Sequence, residues 1–164
     1  MPKVVIADST PLIVLANVSQ LDILRRLYEG VIIPRAVYLE VTSKSDAASC
    51  AVRSCDWIQI RDVGDPGRKS EFRSRLHDGE VEAMLLAQDL SADLILIDDA
   101  TARTAAESMG LTVTGTMGVL IRAKRDGVVE DVRPILEGML ANGFYVSGRL
   151  VDMVMRVAGE QKNA

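Results

Sequence analysis

Two apolar segments of the chain end abruptly in carboxylates. Residues 94–97 run directly into Asp98 and Asp99, and residues 4–7 run into Asp8. Short apolar runs of this kind are typical of buried parallel strands. The ligand crevice of an open α/β sheet lies outside the carboxyl ends of its strands. We therefore expect Asp8 and Asp98 to meet at one edge of a sheet, although they are far apart in the chain.

Glu40 and Glu80 are the glutamates that helical periodicity turns inward. Glu40 lies in a predicted helix that ends near Thr42, and it falls on the apolar side of that helix. The alternative is a partly exposed glutamate at a helix end, because burying an unpaired carboxylate is costly. Glu80 lies in a helix predicted over residues 78–90. It falls opposite Glu82 and Asp89, which we assign to the solvent face.

Asp78 and Glu80 also have a purely structural interpretation. Asp78 is a natural N-cap, and acidic residues in the first turn interact favourably with the helix dipole. The inward direction of Glu80 nevertheless favours a functional role.

These acids form one predicted cluster, and its composition indicates a chemistry. Two bare carboxylates at 4 Å repel each other by roughly 4 kcal/mol at an effective dielectric of 20. Such a cluster must share protons or hold cations, and an all-oxygen set without Cys or His selects Mg²⁺ or Mn²⁺. The consistent reaction is metal-assisted phosphodiester hydrolysis. The predicted members are Asp8, Glu40, Glu80 and Asp98, joined by Asp99 and Asp78.

Composition limits the class of protein. The 164 residues fit one domain, about half of them are hydrophobic, and few are aromatic. There is no apolar run long enough for a membrane span and no signal-peptide pattern, so we expect a cytoplasmic protein without a membrane partner. Cys50 and Cys55, with His77 as the single histidine, are interpreted as reduced thiols. A net charge of −4 gives no general attraction to nucleic acid. Bound cations would offset the repulsion between an acidic protein and a polyanion.

The elements that position the acids follow an α/β order. Strands are predicted near residues 3–8, 31–33, 57–61, 94–97 and 111–114, with helices between them. Thr10 is the expected N-cap of the first helix. Right-handed crossovers give a central parallel sheet in a three-layer α/β/α sandwich. We expect one domain over residues 1–164, with C-terminal helices near 129–160 whose apolar surface packs in the core or, as the second explanation, forms an interface.

Two further segments could contact phosphate. The loop after the third strand carries basic residues at Arg68, Lys69, Arg73 and Arg75. A solvated surface is the slightly favoured interpretation, and a phosphate-contacting rim is the alternative. The glycines around Thr116 match no phosphate-binding motif, so a tight strand-to-helix turn is expected there.

Four ordered motifs together resemble a PIN domain. They are Val-Val-Ile-Ala-Asp8-Ser9-Thr10-Pro, then Val-Ile-Ile-Pro-Arg-Ala-Val-Tyr-Leu-Glu40, then His-Asp78-Gly-Glu80, and finally Leu-Ile-Asp98-Asp99 with Gly-Thr116-Met-Gly. The resemblance covers about residues 3–126 and is strongest to prokaryotic PIN-like proteins related to VapC toxins.

The resemblance implies a Mg²⁺- or Mn²⁺-dependent endoribonuclease, often a homodimer and often the toxin paired with an antitoxin protein. It implies RNA as substrate and Asp8, Glu40, Glu80 and Asp98 as the acidic quartet. Ser9 or Thr10 would supply the hydroxyl that orients Asp8 or a bound water, with Asp78 and Thr116 as further supporting residues.

The chain departs from the usual pattern at two positions. VapC-like chains usually show Thr-x-Asp where this chain has Ile97-Asp98-Asp99, so either aspartate is a candidate for the fourth acid. Asp98, which adjoins the strand, is the favoured candidate, and Asp99 is interpreted as a cap of the helix that follows. The third acid is Glu80 in an Asp-Gly-Glu turn, where an aspartate is more usual.

Two alternatives belong to other classes. A response-regulator receiver needs an acidic pair after its first strand and a lysine after its last, and this chain has neither. A non-catalytic PIN-like scaffold that binds RNA or a partner protein is the second, and the intact set of acids argues against it.

Overall fold

A sheet of five parallel strands forms the centre of the computed structural model, which describes residues 4–72 and 76–161. The strand order is β3-β2-β1-β4-β5. The strands are β1 Val5–Ala7, β2 Val31–Pro34, β3 Ile58–Arg61, β4 Leu94–Leu96 and β5 Val113–Thr114. The predicted parallel sheet and its order of elements along the chain are confirmed.

Helices fill both faces of this sheet. Those before β4 are α1 Ser9–Asn17, α2 Asp22–Tyr28, α3 Arg35–Thr42, α4 Ala47–Arg53 and α5 Asp78–Asp89, with a short 3-10 helix at Pro66–Glu71. Those after β4 are α6 Ala100–Ser108, α7 Thr116–Arg125, α8 Arg133–Ala141 and α9 Gly148–Val157.

The alternation of side chains along β1 explains the three layers. Val5 and Ala7 belong to the larger core, which α1, α2, α3, α4, α7, α8 and α9 cover. Ile6 faces the opposite side and packs in a second core with residues such as Met84 of α5 and Ala102 of α6. Successive residues of a strand point to opposite faces, so an entirely apolar strand requires helices on both sides.

The middle of the sheet contains the point where the chain changes direction. From β1 the chain passes to β2 on one side, whereas β4 pairs with β1 on the other side. The Asp8 N–H donates to the Leu96 carbonyl at 2.9 Å, which holds the ends of β1 and β4 together. A crevice for ligand lies outside the carboxyl ends of the strands at such a switch point.

The C-terminal helices contribute mainly to the core. Leu136, Met139, Val154 and Met155 are buried, while Met153 is 39% exposed. Core packing, the first explanation for their apolar content, therefore accounts for part of it, because Leu140 and Val157 are also exposed. None of the helices within the described ranges is both long and apolar enough to cross a membrane. Cys50 and Cys55 are both free thiols, as expected.

Two helix starts differ from the prediction. Helix α1 begins at Ser9 with Asp8 as its N-cap, so the assignment of Thr10 as the cap was wrong. Helix α5 begins at Asp78 with His77 as its N-cap, which places Asp78 inside the first turn. In both cases the strand or loop before the helix ends one or two residues earlier than residue preferences suggest.

Candidate functional site

Asp8, Ser9 and Glu40 form one connected group at the end of β1. Asp8 is 4% exposed, and Ser9 directly follows it as the first residue of α1. The Ser9 hydroxyl lies 2.6 Å from Glu40 Oε2 and 3.4 Å from Asp8 Oδ1. A serine has one hydroxyl proton, and the shorter distance indicates that it donates to Glu40. Thr10 is only half-buried and forms no side-chain hydrogen bond with these acids in the described structure.

Gly79 lines the space between the two carboxylates. A methyl group added at its Cα would lie 3.1 Å from Glu40 Oε2 and 3.6 Å from Asp8 Oδ1. The glycine in the first turn of α5 therefore lets that helix approach both acids. Glu40 is exposed near the end of α3, as the alternative of a partly exposed helix-end glutamate expected, but its carboxylate reaches the hydroxyl of buried Ser9.

Glu80 approaches the same group from α5. It is 8% exposed, which confirms its predicted inward direction. Its Oε2 accepts the N–H of His77 at 3.1 Å, so the helix start fixes the position of the carboxylate. Burial raises the pKa of Glu80, and the nearby charges of Asp99 and Glu40 raise it further.

The pKa of Asp8 is the most strongly perturbed of the cluster. Burial raises it from 3.8 to about 6, and the charges of Glu80 and Glu40 contribute to the increase. The hydrogen bond from the Ser9 backbone opposes this effect without cancelling it. A carboxyl group that is buried beside like charges favours its protonated form or a bound cation.

Asp98 and Asp99 point in different directions. Both oxygens of Asp98 accept hydrogen bonds from Thr116, one from its N–H at 2.8 Å and one from its hydroxyl at 2.6 Å. Asp98 is thus tied to the start of α7. Asp99 Oδ2 accepts the Ala102 N–H at 2.9 Å as the N-cap of α6. The charge of Asp99, and not that of Asp98, is among those that raise the pKa of Glu80.

Glu82 was wrongly assigned to the solvent face. Its side chain is only 13% exposed and forms an ion pair with Lys69 at 2.6 Å. Its other oxygen accepts the Ala36 N–H at the start of α3. The 3-10 helix covers this face of α5, and no periodicity within α5 could have indicated that long-range contact. Asp78, by contrast, is exposed in the first turn of α5.

The predicted basic rim is largely neutralised where the structure describes it. Arg68 pairs with Asp89 at 3.1 Å, and Lys69 pairs with Glu82. Arg73 and Arg75 lie outside the described residues. Arg103, which sequence reasoning missed, approaches Asp98 from α6. The signal for it was its position one helical turn after the α6 N-cap.

The oxygens available to a metal at this site are mainly those of carboxylates. In the described part of the chain no ion pair to a basic side chain is formed by Asp8, Glu40, Glu80, Asp98 or Asp99. The donor set thus fits Mg²⁺ or Mn²⁺ in its chemistry. Across residues 4–72 and 76–161, however, no three His, Cys, Asp or Glu side chains already stand as a metal site. Ser9, His77 and Thr116 instead hold individual carboxylates by hydrogen bonds.

Comparison with known protein families identifies the family of the chain. A family model described as a PIN domain matches residues 4–160. The chain belongs to the PIN-domain family. PIN domains are generally nucleases and typically use divalent metals, so this PIN domain has the scaffold of a nuclease. No curated protein matches the chain in sequence.

Proposed function

We propose that this PIN domain is a Mg²⁺- or Mn²⁺-dependent endoribonuclease that hydrolyses RNA phosphodiester bonds. One observation carries the proposal: the carboxylates of Asp8 and Glu40 lie beside Gly79 and Ser9, with buried Glu80 next to Gly79 in the chain. In the described structure no basic side chain forms an ion pair with these acids or with Asp99, whose charge raises the pKa of Glu80. Their mutual repulsion makes a bound cation favourable. We call these four acids the acid cluster.

The four members of the acid cluster are the residues that would hold the metal. We assign the fourth place to Asp99 instead of Asp98, because its charge raises the pKa of Glu80 and only one of its oxygens accepts a hydrogen bond, from Ala102, whereas both oxygens of Asp98 accept one from Thr116. When bound, the cation would lower the pKa of an attacking water and stabilise the leaving oxygen.

The remaining roles belong to the neighbours of the acid cluster. The Ser9 hydroxyl fixes the orientation of Glu40 beside Asp8. Gly79 leaves room between the two carboxylates. Thr116 holds Asp98 at the adjoining strand end, where this aspartate would position the substrate side of the site.

A cleavage assay tests the proposal. The purified chain is incubated with labelled single-stranded and structured RNA in Mn²⁺, Mg²⁺ or EDTA. We expect cleavage only with metal, and we expect Asp8→Asn and Glu80→Gln to abolish it. Asp22→Asn is the matched control, because Asp22 is an exposed aspartate paired with Arg25. Cleavage in EDTA, or full activity of both cluster variants, would contradict the mechanism.

The finer form of the proposal is a toxin that an antitoxin protein restrains, acting as a homodimer. It predicts that induced expression arrests growth and that Asp8→Asn removes the arrest. Light scattering of the purified protein measures the expected dimer.

A non-catalytic scaffold is the second candidate, and one observation favours it. The described acids do not already stand as a three-ligand metal site. RNA binding without cleavage at any metal concentration would decide for this candidate.

A further inference from the structure

A cavity of about 390 Å³ opens beside Asp98, on the side of the sheet edge away from Glu40. One wall consists of Asp98, Arg103 and the turn around Gly115. The opposite wall comes from the segment between α8 and α9 and includes Phe144 and Tyr145. Its volume is within the range of small-ligand pockets. The proposed ribonuclease mechanism uses none of the residues of this opposite wall.

Tyr145 is the most unusual residue of this wall. Its side chain is 87% exposed, whereas the neighbouring Phe144 is half-buried. The turn that presents both is ordered by Gly143 at φ 87° and by the Phe144 N–H, which donates to the Met139 carbonyl at 3.0 Å. Both rings therefore line the cavity on an ordered turn, and the ring of Tyr145 is not packed in the core.

Arg103 supplies a positive charge at the same cavity. Its guanidinium lies near the Gly115 backbone, where an added methyl group would be 3.3 Å from Nη1 and 2.9 Å from Asp98 Oδ1. Within the described residues, Arg103 forms neither an ion pair nor a side-chain hydrogen bond. A half-buried guanidinium without a partner is suited to a phosphate, which it can contact with two N–H groups.

We propose that this cavity is a nucleotide subsite for unpaired RNA, in which a base stacks on Tyr145 while Arg103 contacts the phosphate that leads toward the acid cluster. Aromatic faces beside a cation are the usual features of single-strand recognition, and an unpaired base is required because paired bases are already stacked. This inference rests on the proposed function in one respect, namely that the bound RNA strand continues from Arg103 toward the acid cluster.

Binding measurements test the subsite separately from cleavage. A short fluorescently labelled single-stranded RNA is titrated with the Asp8→Asn protein in Mg²⁺, so that the RNA stays intact. In this background we expect Tyr145→Ala to weaken binding about tenfold by loss of stacking. Tyr145→Phe keeps the ring and is expected to bind within about twofold of the parent. Because Tyr145 is exposed, neither variant should alter the thermal midpoint.

The charge is tested by a matched pair of arginines. Arg103→Gln is expected to weaken binding and to lower the slope of log affinity against log salt by about 0.7, the value for one phosphate contact on a single strand. Arg125→Gln removes the same charge from the far end of α7, where the side chain is exposed, and should leave the slope unchanged.

An RNA with a single abasic nucleotide completes the design. When that nucleotide is moved along the strand, we expect one position at which loss of the base weakens RNA binding by the parent protein but not by the Tyr145→Ala variant. Equal affinities of all variants, an equal loss for Tyr145→Phe and Tyr145→Ala, or an equal loss on fully double-stranded RNA would overturn the subsite. If the variants weaken binding but the wild-type chain cleaves no RNA, the subsite stands and the ribonuclease proposal fails.

Discussion

The acid cluster and Glu160 are carboxylates of this PIN domain with opposite electrostatic surroundings. In the acid cluster, Asp8 and Glu80 have raised pKa values because burial and neighbouring acids disfavour their charged forms. Glu160, near the end of the chain, has a side chain that is only 9% exposed, yet its pKa is lowered. Burial raises the pKa of Glu160 too, but hydrogen bonds and a cation outweigh this effect.

The partners of Glu160 explain the difference. Its carboxylate accepts the N–H groups of Val132 and Arg133 at 2.7 and 2.9 Å, and Lys124 lies at 3.1 Å. These contacts attach the end of α9 to the start of α8. The chain thus gives Glu160 both hydrogen bonds and a cation, whereas the described residues give the acid cluster hydrogen bonds but no paired cation. This contrast is why we assign the missing positive charge to a metal ion.

The largest expected effect is a gain in stability when the acid cluster loses a charge. In metal-free buffer at pH 8, Asp8→Asn should raise the free energy of unfolding by up to about 3 kcal/mol, since the pKa of Asp8 rises from 3.8 to about 6 on folding. Below pH 6 the folded protein keeps a proton that the unfolded chain releases. The gain should therefore shrink as the pH falls from 6 toward 4.

Urea denaturation in EDTA at several pH values measures this effect. Asp22→Asn is the control and should be neutral or slightly destabilising, because it breaks the exposed ion pair with Arg25. If Asp8→Asn lowers the free energy of unfolding at pH 8, the charge of Asp8 does not destabilise the fold, and the contrast between the acid cluster and Glu160 is wrong.

The same kind of substitution should have the opposite sign at Glu160. Glu160→Gln is expected to lower the free energy of unfolding by about 2 kcal/mol, because it weakens charge-assisted hydrogen bonds to two backbone N–H groups and to Lys124. Glu137→Gln, on the exposed face of α8, provides the control. If Glu160→Gln is as stable as the wild type, the Glu160 contacts do not stabilise the fold as described.

A comparison of Asp99→Asn with Asp98→Asn identifies the fourth acid. Asparagine keeps the N-cap of α6, so Asp99→Asn should fold normally but bind Mn²⁺ at least about tenfold more weakly. Asp98→Asn loses part of its bonding to Thr116 and should lower stability by about 1 kcal/mol, with a smaller change in Mn²⁺ affinity. The reverse order of Mn²⁺ affinities would return the role to Asp98.

The smallest expected effect concerns the space between Asp8 and Glu40. Gly79→Ala places a methyl group 3.1 Å from Glu40 Oε2, so we expect a severalfold loss of cleavage rate. Stability should change by less than about 1 kcal/mol, because alanine is also the better helix former. Gly148→Ala is the matched control, since nothing lies within 4 Å of the added methyl group. An equal effect of both substitutions would show that this space has no role.

Local patterns were sufficient to predict the elements that carry the acids. Short apolar runs ending at Asp8 and Asp98 predicted strands that meet at one sheet edge, and periodicity predicted the inward direction of Glu80. These predictions succeeded because the period of side chains is a property of a single helix or strand.

The missed features depend on contacts between distant segments. Glu82 is covered by the 3-10 helix, and Arg103 and Asp98 lie beside the same Gly115 turn only because α6 and α7 start at neighbouring strand ends. The different directions of Asp98 and Asp99 depend on hydrogen bonds to Thr116 and Ala102. The sequence favoured Asp98 for the metal and Asp99 as a helix cap. The cap of α6 by Asp99 is confirmed, whereas the choice of metal ligand stays a prediction.

Direct metal binding tests the central claim most simply. Titration calorimetry of the metal-free chain with Mn²⁺ at neutral pH would compare the wild type with Asp8→Asn and Glu160→Gln. We predict that the wild type and Glu160→Gln bind Mn²⁺ and that Asp8→Asn does not. A wild-type chain that binds no Mn²⁺, or an Asp8→Asn variant that binds it equally well, would contradict the assignment of the acid cluster as a metal centre.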